Sequence, residues 1–125
     1  MRVNIERTRE YYASLDAAQL CDCAYCENFR REVRAVYGEA AAYLDGLGIA
    51  MEKAFETSPL EVEPDGTIAY CLCQYVVFGS CEEDFRKEIG GVTLTRGRSY
   101  PATGIEEEHF VMDLFPVRLP WRIGD

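Results

Sequence analysis

Three thiols fall within six residues, in Cys21-Asp22-Cys23-Ala24-Tyr25-Cys26. Thiols at that density coordinate soft metal ions, cycle between dithiol and disulfide, or fill apolar space. The choice rests on how the backbone presents them. On one continuous helix Cys23 and Cys26 project about 60° apart while Cys21 points roughly 160° away from Cys23, so the sulfurs cannot converge. If Asp22 is instead the N-cap of a helix, Cys21 sits in the preceding turn and can fold back beside the first helical turn. There, unbonded N–H groups and the helix dipole favour thiolate. A three-sulfur cluster therefore needs a helix start inside the motif.

Zinc completes four ligands with thiolate sulfurs at ~2.3 Å, and its familiar sequence sign is two separated Cys-x-x-Cys pairs. Only one pair is present, so a zinc site at Cys21, Cys23 and Cys26 would take its fourth ligand from Cys71, Cys73, Cys81 or His109. Cys71 and Cys73 are expected on one face of a strand that could lie opposite the helix start. The reading placed first is that all six cysteines are core or ordinary surface thiols, with metal binding second. Free cysteine behaves as a small hydrophobe, which accounts for Cys71 and Cys73 on an apolar strand and for Cys81, spaced with Phe85 and Ile89 as the stripe of a short helix. Thiol redox comes third: a Cys-x-x-Cys at a helix N-terminus lowers the first thiol's pKa, but thioredoxin-like motifs follow a strand, and Ser14 to Leu20 reads as helical. A Cys71–Cys73 disulfide would be strained on an extended strand.

Little else suggests catalysis. His109 is the only histidine, so no multi-histidine site exists and any Cys/His dyad would have to be built on it. No phosphate-binding glycine loop, GxSxG, HExxH or EF-hand spacing occurs. Of the two acidic runs, Glu82-Glu83-Asp84 fits a helix N-terminus, and Glu106-Glu107-Glu108 reads as a solvated loop or a docking surface for a basic protein partner.

The elements that must position these residues fit one domain, since 125 residues suit a single core spanning 1–125. Phe29, Val33, Val36 and Ala40 recur at helical spacing from a start near Cys23, with Arg30, Arg31 and Arg34 on the other face. A second helix begins at Glu39 and stops at Leu47-Gly48-Ile49. Asp16-Ala17-Ala18-Gln19 resembles a capping box. Beyond Ser58 the chain reads as extended. Glu61-Val62-Glu63 and Thr67 to Gly79 flank a Pro64-Asp65-Gly66 turn. In the second of these strands Ala69, Cys71, Cys73, Tyr75 and Val77 face one way, and Ile68, Tyr70, Leu72, Val76 and Phe78 the other. Ser80-Cys81-Glu82-Glu83 predicts a capped short helix closed by Gly90-Gly91. Val92 to Arg96 and His109 to Phe115 predict strands, and Pro116 and Pro120 keep the tail out of the sheet's centre, with Trp121 packing from an irregular segment. The expected fold is α+β and two-layered, with helices packed on a mainly antiparallel sheet of about four strands.

A net charge of −9, from 22 acidic and 13 basic residues, disfavours nucleic acid and anionic lipid as partners and favours solubility or a basic partner. Met1 to Arg7 lacks the apolar segment of an export signal, and the apolar run Ile68 to Phe78 is too short to span a membrane, so the chain is expected in the cytoplasm. The segment Leu20-Cys21-x-Cys23-x-Tyr25-Cys26-x-Asn28-Phe29, with Leu47-Gly48-Ile49 and Gly66-x-Ile68-x-Tyr70, resembles small bacterial domains of unknown function. That resemblance implies a bacterial cytoplasmic protein and supplies no activity, cofactor or catalytic residue. The expectation is an acidic, non-enzymatic binding or interaction module. A structural thiolate-zinc domain is the alternative, and a thiol-dependent redox protein the third reading.

Overall fold

A computed structural model describes residues 1–16 and 20–123. The elements run β1 (Arg2–Val3), α1 (Ile5–Ser14), α2 (Ala24–Val36), α3 (Gly38–Gly46), β2 (Glu56–Pro59), β3 (Thr67–Ser80), β4 (Arg86–Ile89), β5 (Val92–Arg96), β6 (His109–Phe115) and β7 (Val117–Pro120). The protein is α+β with an antiparallel sheet. Among the described residues seven strands form it, more than the about four expected, in the order β1-β3-β6-β5-β4, with β2 and β7 also paired to β3. No described helix is long and apolar enough to cross a membrane.

The helices follow their local signals. Asn4 caps α1 by accepting from the Arg7 N–H. Phe29 and Val33 form the buried stripe of α2 expected from their spacing, whereas Val36 is exposed. The α3 helix ends as predicted: the Gly48 N–H reaches the Asp45 carbonyl at 3.0 Å and the Ile49 N–H reaches Leu44 at 3.0 Å, closing a Schellman motif, with Ile49 buried. Arg34 ties α2 to α3 and to the segment beyond it, bonding Asp45 at 2.8 Å and Glu52 at 2.9 Å, and both carboxylates hold its guanidinium pKa above the usual value. The proposed capping box at Asp16-Ala17-Ala18-Gln19 lies mostly outside the described residues.

Strand β3 organises the sheet. Residues Cys73 to Phe78 pair with β6 and Thr67 to Tyr70 with β7, while β2 and β1 line its other edge. As expected for a strand covered on both sides, Cys73 through Phe78 are all buried. Strict alternation fails, however. The core receives Ile68 and Tyr70 and then Cys73, Tyr75 and Val77, so the inward phase switches across Cys71-Leu72. Opposite those two residues β2 contributes only Ser58, since Thr57 pairs with Cys73 and Pro59 with Tyr70. That two-against-one count is a β-bulge, which adds twist and re-aims the side chains beyond it. The neighbouring edge changes phase at the same level, from Phe110, Met112 and Leu114 in β6 to Val117 and Leu119 in β7. The sheet curls there.

Two of the local sequence expectations need correction. The segment from Ser80 is not a capped helix: Ser80 ends β3 opposite Arg2, and Arg86–Ile89 forms β4. Gly90 and Gly91, both at positive φ (56° and 88°), join Ile89 to its partner Val92 as a two-residue hairpin loop. Phe85, Lys87 and Ile89 are half-buried while Arg86 and Glu88 are exposed, so the residues that suggested a helical stripe also carry strand alternation. A helix cap is worth about 1 kcal/mol and is outweighed by a paired hairpin. Second, the regular ladder of the Pro64-Asp65-Gly66 hairpin is Glu56–Pro59 against β3, not Glu61 to Glu63. The turn itself stands, with the Gly66 N–H on the Glu63 carbonyl at 3.0 Å and Asp65 accepting from Thr67. The tail keeps to the sheet's edge as expected: β7 pairs with β3 where proline is tolerated, and Trp121 packs against the core from irregular backbone beyond Pro120.

Candidate metal centre

Helix α2 starts inside the cysteine motif. Cys23, one residue beyond the expected Asp22, is its N-cap, in extended backbone, and its Sγ accepts from the Cys26 N–H at 3.5 Å. Cys21 therefore belongs to the preceding turn, as the convergent arrangement requires, and the Arg30 guanidinium holds that turn by donating to the Cys21 carbonyl at 2.6 Å. The first turn of α2 is anchored from the sheet. The Tyr70 hydroxyl donates to the Tyr25 carbonyl, the Phe29 and Tyr70 rings meet edge to face at 5.2 Å, and Tyr25 stacks obliquely on Trp121 at 5.7 Å. Buried Asn28 fixes the tail from the same turn, donating to the Pro120 carbonyl at 3.0 Å and accepting from the Arg122 N–H at 2.9 Å.

Under these restraints the sulfurs of Cys21, Cys23 and Cys26 all lie within 4.8 Å of one another. Thiolates around a tetrahedral zinc stand about 3.8 Å apart, given Zn–S bonds of ~2.3 Å, so small rotamer adjustments would bring the three into coordination distance. Cys21 and Cys23 are exposed and Cys26 is half-buried, so they are not filling the core. Their environments differ. The Cys26 N–H bond at the helix start lowers the Cys23 thiol pKa, while burial, followed by hydrogen bonding to the other two thiols, pushes Cys26 up to about 12. A bound cation reverses the second effect, since a coordinating thiol is deprotonated outright.

The remaining candidate ligands lie elsewhere, and among the described residues none joins the cluster. Cys71 is exposed on the bulge, its Sγ 3.4 Å from the Ser58 carbonyl. Cys73 is in the core, where burial raises its thiol pKa. Cys81 is half-buried at the end of β3, its pKa raised by burial and then by Glu82. His109 lies between the Thr103 hydroxyl and the Glu107 carbonyl, both at 2.8 Å. In the acidic loop Glu107 pairs with Arg7 at 2.8 Å.

All three cysteines line a cleft of about 600 Å³. Its walls are largely apolar, from Tyr11, Leu15, Leu20, Phe29, Phe55 and Pro59, with Arg30, Glu52 and Glu56 as the charged lining. Glu52 is occupied by Arg34. Sequence reading missed this cleft, because it is assembled from α1, α2 and the entry to β2, and no periodicity links those segments. Arg30 was visible only as part of α2's basic face. No protein-family model, curated protein or solved structure matches the chain, so its chemistry rests on this geometry.

Proposed function

We propose that the protein is a non-enzymatic binding domain whose ligand is a thiophilic metal ion, zinc foremost, held by Cys21, Cys23 and Cys26. One observation carries the reading: three sulfurs converge at the start of a 13-residue helix and line a cleft. Soft thiolate sets select Zn(II) and Cu(I) over hard cations, and the N-terminal end of the helix offsets the negative charge of the thiolates. Protein purified without chelator should contain close to one equivalent of zinc. Its Tm should fall when chelator is added and recover with zinc, because metal that binds only the folded chain stabilises it. An unchanged Tm, with all cysteines titrating in the denatured protein and no metal by elemental analysis, would sink the proposal.

A second reading is supported by the asymmetry between Cys23, with its lowered pKa, and Cys26, with its raised one. That pattern suits a redox dithiol, with Cys23 as the attacking thiolate. Against it, the element before the motif is helix α1 rather than a strand. Metal-free protein that alkylates rapidly at Cys23 near neutral pH, and never retains zinc, would favour this alternative.

A further inference from the structure

We infer that the metal's fourth position is completed from outside the chain, by the imidazole nitrogen of a small ligand that enters the cleft and places a carboxylate on Arg30. This rests on the metal reading above and extends it to the occupant of the site.

Among the described residues the cluster offers three sulfurs and no fourth histidine, cysteine or carboxylate. Zinc held by three protein ligands keeps a position for water or an exchangeable ligand. Because all three cysteines line the cleft, that position opens into a space of about 600 Å³, enough for a small organic molecule. Charge selects the donor. Three thiolates on a divalent ion already leave one net negative charge, Glu56 lines the same space, and the chain carries −9 overall. A fourth thiolate would add charge, and a carboxylate donor would both add charge and be a poorer match to a thiolate-rich ion. A neutral imidazole adds none and completes a Cys₃His-type set. Its flat ring suits a cleft walled by Tyr11, Phe29 and Phe55. Arg30 completes the recognition. It is half-buried at the cleft, commits one nitrogen to the Cys21 carbonyl and has no carboxylate partner among the described residues, whereas Arg7, Arg34, Arg118 and Arg122 are all paired. A guanidinium with uncommitted donors beside a coordination site is placed to hold a ligand carboxylate in a fork. On binding, the imidazole nitrogen replaces the metal-bound water, and no proton is consumed or released if the ring arrives neutral.

Cobalt(II) in place of zinc supplies the test, because its charge-transfer bands count sulfur ligands and its visible bands respond to the fourth donor. The cobalt-loaded full chain is titrated with 4-methylimidazole, with imidazole-4-propionate and with 2-mercaptoethanol at neutral pH. The expected result is a saturable shift of the visible bands with both imidazoles and no gain in sulfur charge transfer. The propionate should bind about fivefold or more tighter than the methyl compound. Arg30→Gln should bring the two imidazoles to equal affinity, and because Arg30 also holds the Cys21 turn the ratio is read only on protein that shows the three-sulfur bands; Arg30→Lys, which keeps a donor for the Cys21 carbonyl, should keep part of the preference. Cobalt bound with three-sulfur bands that neither imidazole perturbs would overturn this inference and leave the metal centre standing. Preferential capture of the thiol would overturn the choice of donor. Failure to take up cobalt or zinc at all would overturn both the inference and the metal reading.

Discussion

Cys21, Cys23 and Cys26 at the start of α2 and Cys71 and Cys73 in β3 are the same side chain at comparable spacing, yet one group converges and the other is split. In the first, a helix start turns the backbone so that residues two and three apart point to one place. In the second, residues two apart should share a strand face, but the bulge at Cys71-Leu72 leaves Cys71 exposed and sends Cys73 into the core. Cysteine spacing alone therefore says little about chemistry. What decides is whether the backbone between the thiols is regular, and the two irregularities here act in opposite directions.

The largest test of that contrast is on metal. The double change Cys23→Ser and Cys26→Ser should weaken zinc or cobalt binding by at least about a thousandfold, since two thiolates are lost from a site whose binding free energy is on the order of 10 kcal/mol. Cys71→Ser with Cys73→Ser should leave metal affinity unchanged. Competition with a chromophoric chelator measures both. Equal losses from the two pairs would mean that the strand cysteines reach the metal and that the bulge does not separate them.

The pairs should exchange roles when stability is measured instead. Cys73→Ser places a hydroxyl in the apolar core that also holds Tyr75 and Leu114, at a cost of about 1 to 3 kcal/mol. Cys71→Ser, on the exposed bulge, should change stability by less than about 0.5 kcal/mol. Urea unfolding of the two single variants in chelator makes the comparison. If Cys71→Ser proved as costly as Cys73→Ser, the two thiols would share a buried face and the register opposite Ser58 would be wrong.

Legibility in the sequence divides along the same line. Strands Val92–Arg96 and His109–Phe115, helix α2 and the stop after α3 were legible because each carries a complete local signal: alternation, a stripe, or a glycine-marked terminus. The helix start within the cysteine motif was legible too, from the stripe that Phe29 and Val33 begin, but whether the three sulfurs converge there was not. What stayed hidden depends on pairing. The phase switch in β3 arises from one residue of β2 opposing two of its own, and β3's sequence, apolar on both faces, is compatible with either phase. The Ser80 segment held two valid local signals, a capping box and an alternating strand, and the choice was made by the Gly90-Gly91 turn and by β5. Residues lining the cleft come from three segments with no shared pattern.

The smallest predicted effect tests the burial of Cys73 by titration. Burial raises the Cys73 pKa above its ordinary 9.0. A folded-state pKa above the unfolded value means that the native chain holds its proton longer, so the stability from this group is complete below about pH 9 and is lost as pH climbs from there toward the folded pKa. With an unfolded thiol near 9.0, Cys73 should account for a loss of roughly 0.8 kcal/mol at about pH 9.5. Cys26 and Cys81 also have raised pKa values and add slope of the same sign, while Cys23, with its lowered value, opposes it, so the wild-type curve alone cannot isolate one residue. Comparison of variants can. Denaturant unfolding of metal-free protein between about pH 8 and pH 9.5 should show a flatter decline for Cys73→Val than for wild type, by that same fraction of a kcal/mol. Tyr12, Tyr70 and Tyr75, whose pKa values burial raises above 10.0, begin to add slope of the same sign at the top of this window and cancel between variant and wild type. If Cys73→Val declined as steeply as wild type, the Cys73 thiol would not be buried and the phase of β3 beyond the bulge would be wrong.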